Sequence, residues 1–333
     1  MATMVEVAKA AKVSVTTVSH VLNNTRTVKA ETRERVLRAI DMTGYRRNAL
    51  ATALVTSRTQ AVGVSISAAV NPYFSGLMYA INRRLTELGY SLMMGDAHED
   101  SLMEKTLFDR FLDWQVDGII CAPTTEALEV SLPYLKRSGK PLVLVDRFVD
   151  FDCDQLAPDN FDAVKELTTH MIGLGHTKIA VVQGKPGLHS TIERLAGFDA
   201  ALEDAGLKVP KQYYLEGNSQ SEPTRKQVTQ LFSRKNRPTA LVSLNNAMTI
   251  GSLQGLRDLK LQVPDQVALC CFDDFEWSEL FHPSLTAVEQ DVTTMGNRAI
   301  EMLIERMEGY DGPPRRERIP VKIHYRESSG TKL

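Results

Sequence analysis

The run Val13-Ser14-Val15-Thr16-Thr17-Val18-Ser19-His20-Val21-Leu22-Asn23 admits few folds. Ser14 stands where it caps a helix whose Val18, Val21 and Leu22 share one face. Val15, Thr16, Thr17, Ser19 and His20 are then left facing outward. Just upstream, Thr3 and Glu6 have capping-box spacing, and Met4, Val7, Ala8 and Ala11 fall on one side of a first short helix. A tight turn joins the two. A helix pair with a polar, hydrogen-bonding outer face is a shape that the major groove of DNA admits. A third helix is predicted over Ala30–Thr43, with Val36, Leu37 and Ile40 on its inner face and Gly44 as its C-terminal cap.

Charge separates this head from the rest of the chain. Residues 1–60 hold ten Lys and Arg against four acids, while the whole chain carries a net charge of −2. The remaining residues are therefore acidic overall. A basic head on an acidic body predicts a polyanion-binding module joined to a module of another kind.

At 333 residues and 43% hydrophobic content the chain has enough apolar material for two or three domains. No apolar run reaches membrane-spanning length, and Glu6, Lys9 and Lys12 interrupt any secretory signal, so a cytoplasmic location is expected. Cys121, Cys153, Cys270 and Cys271 form no Cys-x-x-Cys pair and read as small buried hydrophobes. Gly184-Lys185-Pro186-Gly187 follows a strand but lacks phosphate-loop spacing. No catalytic or metal-ligand pattern emerges, so neither an enzyme nor a cofactor is expected.

From residue 61 short apolar runs alternate with amphipathic ones. Strands are predicted at 61–67, 90–96, 116–122, 141–146, 178–183, 239–245, 267–273, 284–289 and 319–325. Helices are predicted at about 74–88, 101–114, 160–174, 190–205, 221–233, 246–259 and 291–308. The fold class is α/β: parallel sheets flanked by helices, with too many strands for one sheet and therefore two lobes. Ligands of such sheets sit beyond the carboxyl ends of the strands, which makes the interlobe cleft the expected site.

Nearly the whole chain resembles the LacI/GalR family of bacterial transcription repressors. The head carries Val5-Glu6-Val7-Ala8, Thr17-Val18-Ser19-His20-Val21-Leu22-Asn23, Thr32-Arg33-Glu34-Arg35-Val36 and Gly44-Tyr45 in the family's order. The body continues it with Asn71-Pro72-Tyr73-Phe74, Val116-Asp117-Gly118, Leu174-Gly175-His176, Arg194-Leu195-Ala196-Gly197-Phe198, Phe272-Asp273-Asp274 and Pro283-Ser284-Leu285-Thr286.

The resemblance implies a helix-turn-helix DNA-binding domain over 1–46, a hinge helix and linker over 47–60, and a two-lobed periplasmic-binding-protein-like effector and dimerisation domain over 61–333. Val15, Thr16 and His20 match base-reading positions, and Thr17 and Ser19 match phosphate contacts. Asn48 opens the hinge helix, and Leu54 matches the leucine wedged into the minor groove. Lys29 stands where the family more often has a capping serine.

Tyr73, Phe74, Asp146, Arg147, Arg194, Asn245 and Asp273 match the effector pocket, with Trp277 just beyond. Tyr73 and Phe74 are equally core candidates, and Arg147 has an alternative partner in Asp150. The implied partners are a pseudo-palindromic operator bound by a homodimer, and a sugar, sugar acid or sugar phosphate. Two arginines favour an anionic ligand, although Asp146 and Asp273 would offset them. The competing reading is a sugar-binding solute receptor without a DNA role.

Overall fold

The computed structural model describes residues 2–23, 26–45 and 58–331. Asn48, Leu54 and most of the expected hinge lie outside the described residues. The chain divides into two units, residues 1–59 and 60–333.

In the first unit, helices α1 (Met4–Ala11), α2 (Val15–Asn23) and α3 (Ala30–Thr43) enclose a core of Val7, Ala8, Ala11, Val18, Val21, Val36 and Ala39. The capping box forms as the spacing requires: the Glu6 amide donates to Thr3 Oγ1 at 3.3 Å, and the Thr3 amide donates to Glu6 Oε2 at 2.7 Å. Ser14 Oγ accepts from the Thr17 amide at 3.1 Å and so caps α2. Arg35 of α3 donates to the carbonyls of Ala11 and Lys12 at 2.7 and 3.1 Å, placing a cation on the C-terminus of α1.

Lys29 precedes α3 without a side-chain cap, whereas Gly44 ends that helix in the left-handed conformation at φ 62°. Two expectations change. Leu37 and Met4 are exposed, and Ala39 takes the place expected of Leu37, because three short helices enclose too little volume for every apolar residue on the predicted faces.

The body holds two six-stranded sheets. The first comprises β1 (Ala61–Ile66), β2 (Ser91–Asp96), β3 (Gly118–Cys121), β4 (Leu142–Leu144), β5 (Asp154–Pro158) and β11 (Arg316–Ile319), in the spatial order β2-β1-β3-β4-β5-β11. The second comprises β6 (Ile179–Gln183), β7 (Tyr214–Glu216), β8 (Ala240–Ser243), β9 (Ala268–Phe272), β10 (Thr286–Gln290) and β12 (Val321–His324), ordered β7-β6-β8-β9-β10-β12. Among these strands only β10 and β12 pair antiparallel.

The central strands are buried throughout, as parallel strands covered on both faces must be. Cys121, Cys270 and Cys271 lie in these strands, buried and free. Among the described residues, no helix is long and apolar enough to cross a membrane.

The chain passes between the lobes three times: after β5, after β10, and across the single residue between β11 and β12. After the second passage, helix α11 (Val292–Met307) returns to the first lobe and lies against α4 (Pro72–Glu87). That approach needs a glycine, since a Cβ on Gly296 would sit 2.9 Å from Ala80 Cβ.

Strands β5, β7 and β11 and the helix Ser131–Lys136 were not expected. Asp-Gln-Leu-Ala-Pro and Arg-Glu-Arg-Ile carry charges where a strand pattern calls for apolar residues. The charge in β5 is tolerated because it is paired. Asp154 is fully buried and accepts from Arg306 Nη2 at 2.8 Å, Arg315 Nη2 at 2.7 Å and the Arg315 amide at 2.8 Å.

Burial alone would raise the Asp154 pKa, but the hydrogen bonds from the two arginines outweigh it and hold the carboxyl well below the usual range. A depressed folded-state pKa gives stability that is present above the unfolded value, about 3.9, and lost as pH falls below it. Asp154→Asn is therefore expected to cost about 1.5–3 kcal/mol at pH 7, because Arg306 and Arg315 lose the charge of their shared carboxylate while Arg315 keeps Glu305 and Arg306 keeps backbone acceptors. Denaturant titrations from pH 7 to pH 3 check this: the gap between wild type and variant narrows toward the acid end.

Candidate functional site

Two sites emerge, one in each unit. In the head, α2 turns Val18 and Val21 into the core and leaves Val15 39% exposed at its first turn. Thr16 beside it is exposed, while Thr17, Ser19 and His20 are half-buried. The Thr17 hydroxyl lies 2.9 Å from Ser14 Oγ, so it belongs to the cap as well as to the outer face. An exposed β-branched residue next to a hydroxyl at a helix N-terminus offers a surface for a thymine methyl and a base-edge acceptor or donor.

In the body, a cavity of about 220 Å³ lies between the carboxyl ends of the two sets of strands. It receives Glu99 from beyond β2, Asp146 and Arg147 from beyond β4, Leu244 and Asn245 from beyond β8, and Asp273 from beyond β9. Asp146 and Asp273 occupy corresponding places in the two lobes and share a left-handed backbone, at φ 77° and 74°. Aspartate tolerates that conformation better than most residues, and it swings both carboxylates into the cleft.

Of the eight expected effector residues, seven line this cavity: Tyr73, Phe74, Asp146, Arg147, Arg194, Asn245 and Asp273. Trp277 is not among its lining residues. It stacks flat on Phe275, with ring centroids 4.3 Å apart, and Phe275 is the ring that reaches the cavity. Tyr73 and Phe74 both line the cavity and belong to the first lobe's apolar core. Asn245 Oδ1 accepts from the Met248 amide at 2.8 Å and so caps α10 (Asn246–Asp258).

Each buried charge has its own partners. Arg194 sits in α8 (His189–Asp204), its guanidinium 3.6 Å from the centre of the Phe272 ring. Its Nε donates to Asn160 Oδ1 at 2.8 Å and its Nη1 to the Leu244 carbonyl at 2.7 Å. Burial lowers its pKa, and Asp273 and Asp146 counteract that. Asp273 accepts from Gln290 Nε2 at 2.5 Å and the Asn246 amide at 3.1 Å, and burial raises its carboxyl above the ordinary value. Burial, reinforced by Asp146 and Asp273, pushes the Tyr73 phenol well above its usual pKa.

Arg147 pairs with Asp146 at 2.7 Å and with Glu99 at 3.0 Å, so its partners are these and not Asp150. Two contacts bridge the lobes beside the cavity: Asn246 Nδ2 donates to Asn71 Oδ1, and Lys185 Nζ donates to the Glu99 carbonyl at 3.2 Å.

Sequence reasoning missed Glu99, Ser190, Thr191, Asn246, Phe275 and Gln290 among the lining residues. The rule that ligands gather beyond strand ends was enough to flag Glu99, three residues past β2. No group of three or more His, Cys, Asp or Glu among the described residues is placed to hold a metal ion.

Comparison with known proteins matches residues 3–48 to "Bacterial regulatory proteins, lacI family" and residues 168–329 to "Periplasmic binding protein-like domain". The HTH-type transcriptional repressor PurR of Haemophilus influenzae (strain PittEE) is 32% identical over 308 residues, 92% of this chain and 91% of that protein. The chain belongs to the lacI family. PurR of Aliivibrio fischeri (strain ATCC 700601 / ES114) is 31% identical over 338 residues and covers all of both chains.

Among solved structures, the lac repressor dimer bound to operator and the anti-inducer ONPF shares the fold with a TM-score of 0.87 at 24% identity. That match covers 98% of this chain and 99% of that one. The transcriptional regulator CelR in complex with cellobiose has a TM-score of 0.74 at 25% identity, covering 98% and 100%. As a lacI-family member the protein is a DNA-binding transcriptional repressor with a small-molecule effector, and the solute-receptor reading is set aside.

Arg194→Lys keeps the charge but cannot reach Asn160 and Leu244 together or lie flat on Phe272. It is expected to cost about 1–3 kcal/mol of body stability by leaving buried acceptors unpaired. Thermal melts of the full chain check this, and an unchanged melting temperature would deny Arg194 its place in the fold of the cavity.

Proposed function

We propose that the protein is a repressor of carbohydrate-utilisation genes that binds a pseudo-palindromic operator as a homodimer and answers to a sugar or sugar derivative. Residues 1–46 bind DNA, 47–60 form the hinge and linker, and 61–333 bind effector and dimerise. It acts in the cytoplasm by binding alone, without turnover.

One observation carries the sugar reading. The cavity sets carboxylates, two guanidiniums and asparagines around a volume also walled by Tyr73, Phe74 and Phe275. Acceptors and donors bracket hydroxyls, while rings cover the apolar face of a sugar. CelR, which shares the fold along its whole length, is described with cellobiose bound. The effector acts by changing how the two lobes close, which alters the spacing of the paired hinges. A panel of sugars, sugar acids and sugar phosphates screened by melting temperature tests the class, and no stabilisation by any of them would refute it.

On DNA, Val15, Thr16 and His20 read bases, while Thr17 and Ser19 position the backbone. Thr16→Ala and His20→Ala are expected to change the operator selected from randomised DNA, with a loss of about 1–3 kcal/mol on the preferred site. Arg33→Ala should weaken all sequences alike and reduce the salt dependence. An unchanged selected motif in both Thr16→Ala and His20→Ala removes them from the reading set.

Leu54 acts as the minor-groove wedge. Leu54→Ala should leave effector binding intact and reduce both operator bending and specific affinity. Fluorescence measurement of end-to-end operator distance checks it, and bending equal to wild type would remove Leu54 from that role.

A further inference from the structure

The cavity holds two arginines, yet its charge is not positive. Glu99, Asp146 and Asp273 line it against Arg147 and Arg194, three carboxylates to two guanidiniums. More telling is how Arg147 is held. Its Nε and Nη2 engage Asp146 Oδ2 at 2.8 and 2.7 Å, and its Nη1 donates to both oxygens of Glu99 at 3.0 and 3.3 Å. All three nitrogens therefore point at protein carboxylates, and the guanidinium is itself buried.

We infer that Glu99 sets the effector's charge class: by engaging Arg147 it makes the cavity select an uncharged, hydroxyl-bearing ligand and reject the anionic counterpart. This rests on the reading of the cavity as a sugar site, and it decides between the neutral and anionic ligands that the arginines alone left open.

Arg194 and Asp273 offset each other within the second lobe, and Arg147 is shared between Asp146 and Glu99 within the first, which leaves the lining with one net negative charge. An anion entering a water-poor cavity meets that charge with little screening. A neutral polyol meets acceptors on Asp146 and Asp273 that want donors, which hydroxyls supply and a phosphate dianion does not.

Glu99 is also fixed in position. Its backbone is left-handed at φ 56°, and its carbonyl accepts from Lys185 of the opposite lobe while its carboxylate faces Arg147. It cannot readily turn away to make room for an anion. Lys185 donates to that carbonyl from outside the lining, so its ammonium is engaged with the Glu99 backbone and not placed to contact a ligand in the cavity.

The test uses the full chain, Glu99→Gln, and Glu99→Met as a second charge-removing variant, with Glu99→Gln/Arg147→Met as the reversal. Two probe sets are titrated by calorimetry and melting temperature. One is inorganic phosphate. The other is matched sugars: glucose, gluconate and glucose 6-phosphate, and cellobiose with cellobionate.

Wild type is expected to prefer the neutral member of any pair it binds and to show no saturable phosphate site. Either single variant should raise phosphate affinity and the anionic-to-neutral affinity ratio by about tenfold or more, and the double variant should abolish that gain. Equal phosphate binding by wild type and the single variants overturns the proposal, as does wild-type preference for an anionic sugar. If no sugar binds any form while the phosphate gain still appears in the single variants, the sugar reading fails and the Glu99 assignment stands.

Discussion

Each sheet of the body is covered by helices on both faces, so polar groups and ligands reach it at the ends of its strands. The interiors of β1, β3, β4, β8 and β9 are apolar and buried almost without interruption. Polar residues then collect where the strands stop, and the two sets of carboxyl ends share one cavity. Most of what the cavity does chemically descends from that arrangement. Charges placed there are desolvated and must find partners, which is why Asp146, Arg147, Arg194 and Asp273 each come with a defined set of contacts.

Those contacts reach beyond the cavity. Asn160, which accepts from Arg194, lies in the first interlobe passage and donates to Glu193 at 2.9 Å. Glu193 in turn pairs with Arg318 of β11, next to the third passage, at 2.5 Å. A continuous polar chain therefore links the guanidinium at the cavity to two of the three segments that join the lobes.

Much of this was readable from the residues. The capping box of Thr3 and Glu6, the cap at Ser14, the glycine stop at Gly44 and the missing cap at Lys29 are local effects, and local chemistry decides them. The alternation of strands and helices followed from periodicity. What stayed hidden depends on partners distant in sequence. Strand β5 is unrecognisable until Arg306 and Arg315, more than a hundred and fifty residues later, neutralise Asp154. The pairing of Arg147 with Glu99 stayed hidden because Glu99 is forty-eight residues away, and nearby Asp150 stood as the alternative partner instead. Trp277 was expected beside the effector pocket, yet it stacks on Phe275, and Phe275 is the ring that lines the cavity.

The order in which the strands enter their sheets also bears on how the molecule is made. Both sheets are closed by pieces from the far C-terminal end, β11 beside β5 and β12 beside β10. A chain emerging from the ribosome therefore completes its three-helix head early, from contacts within forty residues, while the first lobe cannot finish its edge until residue 319 is free, nor the second until residue 324. From the synthesis of β5 until that of β11 the strand β5 has an open side, and the buried Asp154 has no counter-charge until Arg306 is made. The DNA-binding part of the molecule is thus available to fold before any part that could regulate it.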